Sequence, residues 1–119
     1  MLQDTLSTII ETAKLLNLDQ KHGFDDLLGF FSRRSSNEII YPGLVKRKLG
    51  IGIKEAYFFL GELEKKGILR SCFEVYCPCG RTNSIIFDSI DEVSEVETCQ
   101  YCGDDFTTKD HLIVIYKIV

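Results

Sequence analysis

Five cysteines stand in the chain, and four of them fall into two tight pairs, Cys77-Pro-Cys79-Gly80 and Cys99-Gln-Tyr-Cys102-Gly103, separated by the 19 residues from Gly80 to Thr98. Paired thiols in tight turns are what a tetrahedral ion requires. Each turn delivers two sulfurs, and the glycine that follows lets backbone N–H groups point back at the thiolates. One Zn²⁺ held by Cys77, Cys79, Cys99 and Cys102 suits this donor set best. An iron-sulfur cluster or a single iron suits it less well, and disulfides or free thiols least. Four good ligands leave no open coordination position, so such an ion supplies folding energy and no Lewis acid. One irregularity stands out: the first pair is Cys-x-Cys, where the usual knuckle is Cys-x-x-Cys. Cys72, five residues upstream of Cys77, and His111 are therefore substitutes to weigh for Cys79. The ordinary role of Cys72 is a small apolar residue of a strand, and that of His111 a polar residue at the start of the last strand.

Other chemistry is absent from the pattern. The chain has two histidines, no phosphate-binding Gly-rich loop, and no His-x-Glu paired with the Pro-Cys-x-x-Cys of a zinc deaminase. Asp25-Asp26 and Asp104-Asp105 are adjacent pairs that point to different sides of a helix or turn, the pattern of solvated surface. The expectation is a protein that is not an enzyme and has no small-molecule substrate.

The elements that must position the sulfurs can be read from periodicity. Leu2, Leu6, Ile9, Ala13 and Leu16 recur at steps of four and three, which predicts an amphipathic helix over roughly residues 3–17. Its apolar stripe serves either to pack within the chain or to pair with a second copy, a homodimer through residues 3–17. After the polar break at residues 19–23, Phe24, Leu27, Leu28 and Phe31 predict a second helix over about 24–33. Glu38 to Tyr41 reads as a short strand before Pro42, which suits the first position of a helix. From there the chain runs to Leu49, stops at Gly50-Ile51-Gly52, and resumes from Ile53 to Lys66, two helices with a Gly turn between them. Gly50 and Gly67 fit the left-handed positions that end helices, and residues 68–76 read as a strand. The organisation expected is α+β: an N-terminal helix (1–20), a helix-turn-helix domain with a strand wing (21–76) and a small β-rich metal-bearing segment (77–119).

With 119 residues and a mass of 13.6 kDa the chain is one ordinary domain or two very small ones. No apolar run approaches the roughly 18 residues that cross a bilayer, and the first residues lack the pattern of a signal peptide. The expected location is cytoplasmic or nucleoid-associated, with no membrane partner. The net charge of −4 hides a segregation: residues 21–81 carry seven acids and eleven bases, and residues 82–119 eight acids and two bases. A polyanion approaches only the middle of the chain.

The order helix, strand, helix, turn, helix, strand over residues 24–76 resembles a winged-helix domain, and the two cysteine pairs with their spacer resemble a zinc ribbon. The combination is similar in architecture to transcription-associated winged-helix/zinc-ribbon proteins, including the large subunit of the archaeal and eukaryotic general transcription factor E. That resemblance implies Cys77, Cys79, Cys99 and Cys102 as metal ligands, a ribbon that is structural or protein-binding, and a winged helix that contacts the transcription machinery as much as DNA.

Two uses of the helix-turn-helix follow from its residues. Duplex DNA is one partner: Arg33, Arg34, Lys46, Arg47, Lys48 and Lys54, with Arg70 and Arg81 as further candidates, supply phosphate contacts. Direct base reading has weak support, because the outer face of the second helix offers Lys54, Phe58, Gly61 and Lys65 and no Arg, Asn or Gln. The other partner is a protein, which Tyr57 and Phe58 beside Gly61 suit as a shallow apolar surface, unless another part of the chain covers them. A DNA-associated regulator is the first expectation and a protein-binding adaptor or subunit of a larger complex the second.

Overall fold

A computed structural model of the chain describes residues 2–119, and of residues 83 and 84 the backbone alone. The fold is α+β. Four α-helices, α1 (Gln3–Leu15), α2 (Phe24–Ser32), α3 (Pro42–Leu49) and α4 (Ile53–Lys65), come early. The strands are β1 (Ile39–Ile40), β2 (Leu69–Tyr76), β3 (Thr82–Phe87), β4 (Val96–Thr98), β5 (Asp105–Thr107) and β6 (Leu112–Ile118). Among the described residues no helix is long and apolar enough to cross a membrane. The chain divides into two compact units, Met1–Arg70 with Tyr116–Val119, and Ser71–Ile115.

The first unit is a helical core closed by strand ends. The stripe predicted for α1 is real on its inner side: Ile9 and Ala13 are fully buried where α1 packs on α2 and α4. Leu2, at the start of that stripe, lies exposed, and Leu16, at its end, is half-buried. Buried Thr12 is satisfied twice, donating to the Thr8 carbonyl at 2.8 Å and accepting from Lys66 Nζ at 2.6 Å, which ties α1 to the end of α4. The helix stops at Leu15, two residues before the expected end, because Asn17 takes a left-handed backbone (φ 59°) that the α-helix cannot continue. Pro42 opens α3 with no donor to lose, and Gly50 closes it at φ 63°. Gly67 at φ 78° ends the turn after α4. Ala56, Phe59, Leu60 and Leu63 form the buried face of α4, as their spacing predicts. Gly23, at the entry to α2, has an ordinary φ, yet a Cβ there would sit 1.6 Å from the Lys48 carbonyl oxygen. Only a residue without a side chain lets α2 start against the end of α3. In the same unit β1 pairs antiparallel with the end of β6, Ile39 opposite Lys117 and Ile40 opposite Tyr116. That pairing is why the last four residues belong with the first seventy.

The second unit is built from two hairpins. β2 and β3 pair antiparallel, with Phe73 opposite Phe87 and Glu74 opposite Ile86, and an irregularity before the pair Tyr76 and Thr82. β4 and β5 form a separate two-stranded sheet, Val96 to Thr98 facing Thr107 to Asp105. The core is small: Val75, Cys77, Cys99 and Phe106, with Phe87, Val93 and Leu112 packed against them. The sheet order is β1-β6-β2-β3.

Candidate metal centre

Both cysteine pairs sit at hairpin ends. Beyond the last pair of β2 and β3 the Cys77 amide donates to the Arg81 carbonyl at 2.9 Å, and the Gly80 amide returns to the Cys77 carbonyl at 2.8 Å, with Gly80 at φ 91°. Beyond β4 and β5 the Cys99 amide donates to the Asp104 carbonyl at 2.9 Å, and the Gly103 amide returns to the Cys99 carbonyl at 2.9 Å, with Gly103 at φ 76°. Both glycines supply the positive φ that the turns demand. The two turns close by corresponding bonds, but the first closes over four residues (Cys77 to Gly80) and the second over five (Cys99 to Gly103), which matches the one- and two-residue spacing of their sulfurs.

The turns bring the sulfurs together. Cys77 Sγ lies 3.4 Å from Cys102 Sγ, Cys79 Sγ lies 3.8 Å from Cys99 Sγ, and the four sulfurs all fall within 4.8 Å of one another. A tetrahedron with metal–sulfur bonds of about 2.3 Å has sulfur–sulfur edges of roughly 3.8 Å, so the donor set fits a single ion. Cys79 completes the cluster, and neither Cys72 nor His111 takes its place. Cys72 is fully buried in β2. His111 packs edge-on against Tyr76 and Phe106, at ring separations of 5.3 and 5.7 Å.

Burial and backbone donors divide the sulfurs in character. Cys77 and Cys99 are buried and Cys79 and Cys102 exposed. The Cys79 amide donates to Cys77 Sγ at 3.4 Å, and the Tyr101 and Cys102 amides to Cys99 Sγ at 3.4 and 3.5 Å. These donors are the outer support that a thiolate ligand needs. They escape notice in the sequence except through the glycines that set the turns. The amide of Cys102, assisted by that of Tyr101 and by the Cys77 and Cys102 thiols, pulls Cys99 down to about 6 against the effect of its burial. At Cys77 the Cys79 amide acts in the same direction, but burial and the thiols of Cys79, Cys102 and Cys99 outweigh it and push the group up to about 12. A dication gathering four thiolates displaces the remaining protons, so its hold weakens in acid. Across the two turns Arg81 lies over the Tyr101 ring at 5.2 Å, which gives this cation a partner within its own unit.

The other expected site residues all lie in the first unit. Arg33, Lys46, Arg47 and Lys54 are exposed, and Lys48 is half-buried with its ammonium 5.9 Å from the Phe30 ring. Lys46, Arg47 and Lys48 occupy the last turn of α3, where the helix dipole favours cations. Arg34 is engaged internally: it pairs with Glu38 at 3.4 Å and stacks over Phe30 at 4.3 Å. On α4, Lys65 pairs with Glu62 at 3.1 Å. Phe58 is 57% exposed, at the edge of a shallow cavity of about 350 Å³ lined by Leu16, Leu18, Lys54 and Glu55. Tyr57 is half-covered by Tyr116, ring centroids 6.3 Å apart, and burial raises its phenol above the usual range.

Comparison of the chain with protein-family models, with curated proteins and with solved structures gives no match.

Proposed function

We propose that the chain is a non-enzymatic regulator in which a winged-helix unit contacts duplex DNA and a zinc ribbon serves as a folding staple. The observation that carries this reading is the partition of charge. The first unit holds nine acids and twelve bases, a formal +3, and the second nine acids and two bases, a formal −7. A polyanion is drawn to the first unit and repelled by the second. Lys46 and Arg47 at the end of α3 and Lys54 in the first turn of α4 offer exposed cations for phosphate oxygens, with Arg33 as a further one. Arg34 is already spent on Glu38 and Phe30. Because the outer face of α4 lacks the side chains that read base edges, the binding tolerates sequence and depends on salt. Zinc fits four thiolates in a tetrahedron and carries no redox chemistry into the fold.

Duplex binding measured at two salt concentrations tests the reading. About four phosphate contacts make affinity fall roughly 100-fold between 50 and 200 mM salt, and the K46A/R47A/K48A variant loses binding at both. Unchanged affinity in that variant contradicts it.

A second reading, a protein-binding adaptor, rests on Phe58. An aromatic more than half exposed, at the edge of a cavity that it shares with Leu16, Leu18, Lys54 and Glu55, suits a protein surface better than a phosphate. Negligible DNA binding at both salt concentrations, with a partner retained from native extract after nuclease treatment, favours the adaptor.

A further inference from the structure

β3 is the terminal strand of the four-stranded sheet, and among the described residues no strand pairs with its far edge. It is six residues long, Thr-Asn-Ser-Ile-Ile-Phe, with no lysine, no other charge and no proline. Natural edge strands are blunted by such residues, because an open row of backbone donors and acceptors templates the addition of another strand. Ile85 on β3 is 51% exposed, and Ile90 shortly after the strand is 50% exposed.

Charge decides what can add there. The unit that contains β3 carries a formal −7, and a dication bound by four thiolates takes it to −9. Asp88, Asp91, Glu92 and Glu95, which follow the strand, are all exposed. Two copies meeting edge to edge through β3 bring two units of the same large negative charge against each other, so self-pairing is disfavoured by the same field that attracts a cation. The cation nearest the strand, Arg81, already lies over Tyr101.

We propose that the β3 edge is a docking site for an extended lysine- or arginine-bearing segment of a partner protein. The segment adds as a fifth strand, its backbone pairing with β3, its apolar side chains covering Ile85 and its cations facing the carboxylates after the strand. This inference is independent of the DNA reading, since it uses the other unit and the opposite charge.

The test uses the full isotopically labelled chain loaded with zinc, titrated with three seven-residue peptides. One alternates Lys and Val, the second is the same peptide N-methylated at alternate residues, and the third replaces Lys by Glu. The Lys/Val peptide is expected to shift the amides of residues 82–88 and to slow their hydrogen exchange. N-methylation, which removes about two to three backbone donors, is expected to weaken binding about 100-fold. The Glu peptide is expected to leave the amides unmoved. Equal binding by the N-methylated peptide, or no shift at residues 82–88 with the Lys/Val peptide, overturns strand addition. Binding of the Glu peptide as tight as that of the Lys peptide overturns the charge argument. The I85K variant places a cation on the edge and is expected to weaken the Lys/Val peptide while leaving duplex binding at Lys46 and Arg47 unchanged. If sedimentation shows that the wild-type chain dimerises and that I85K abolishes the dimer, a second copy occupies the edge and the basic partner is wrong.

Discussion

The two units hold themselves together by different means. In the first, four helices and the paired ends of β1 and β6 enclose large side chains such as Phe31, Phe59, Leu60 and Ile115's neighbour Tyr116, and apolar burial suffices. In the second, the core is four residues with three more packed around it, and two of those four, Cys77 and Cys99, are sulfur donors. A unit of this size buries too little apolar surface to stand unaided. The lesson is that the four sulfurs able to hold a metal ion stand where a larger core would otherwise be required, and the charge divides along the same line.

Metal removal breaks the comparison most sharply. Zinc binding in small domains is worth on the order of 10–16 kcal/mol, comparable to the whole stability of a domain. Chelation at neutral pH is expected to abolish amide protection across residues 71–115 while the helical circular dichroism of α1 to α4 persists. Protection that survives in residues 71–115 breaks the account of the second unit.

The first unit answers to substitutions in its core. F59A removes a fully buried ring from α4 and is expected to cost about 3–5 kcal/mol in urea unfolding. G23A drives a Cβ into the Lys48 carbonyl and is expected to cost about 3 kcal/mol, with the loss coming from the junction of α2 and α3. F58A, one residue from Phe59 but 57% exposed, is expected to change stability by less than about 0.5 kcal/mol. A loss in F58A as large as that in F59A means that the outer face of α4 is covered and removes the surface on which the adaptor reading depends.

Much of this was legible in residue spacing. The helix periodicities, Pro42, and the glycines at 50, 67, 80 and 103 are local signals, and local signals set where helices and turns begin and end. The sulfur cluster was legible for the same reason, since each cysteine pair and its glycine make a self-contained turn. The Cys-x-Cys spacing raises Cys72 and His111 as substitutes because sequence alone does not show that the shorter turn closes by bonds corresponding to those of the longer one. What was not legible is long-range. Gly23 reads as part of a polar break, and its reason for being glycine is the carbonyl of Lys48. Arg34 differs, for its partners Phe30 and Glu38 stand only four residues to either side of it. Tyr57 reads as exposed until Tyr116 arrives from the end of the chain. The short strands β4 and β5 carry too few residues for alternation to stand out, and it is their pairing that places Cys99.

The most direct measurement is the metal content of the purified chain by elemental analysis alongside native mass spectrometry. One zinc per chain, lost with parallel unfolding of residues 71–115, is the result expected from four sulfurs within 4.8 Å of one another. A folded chain with no stoichiometric metal, or with iron in place of zinc, contradicts it.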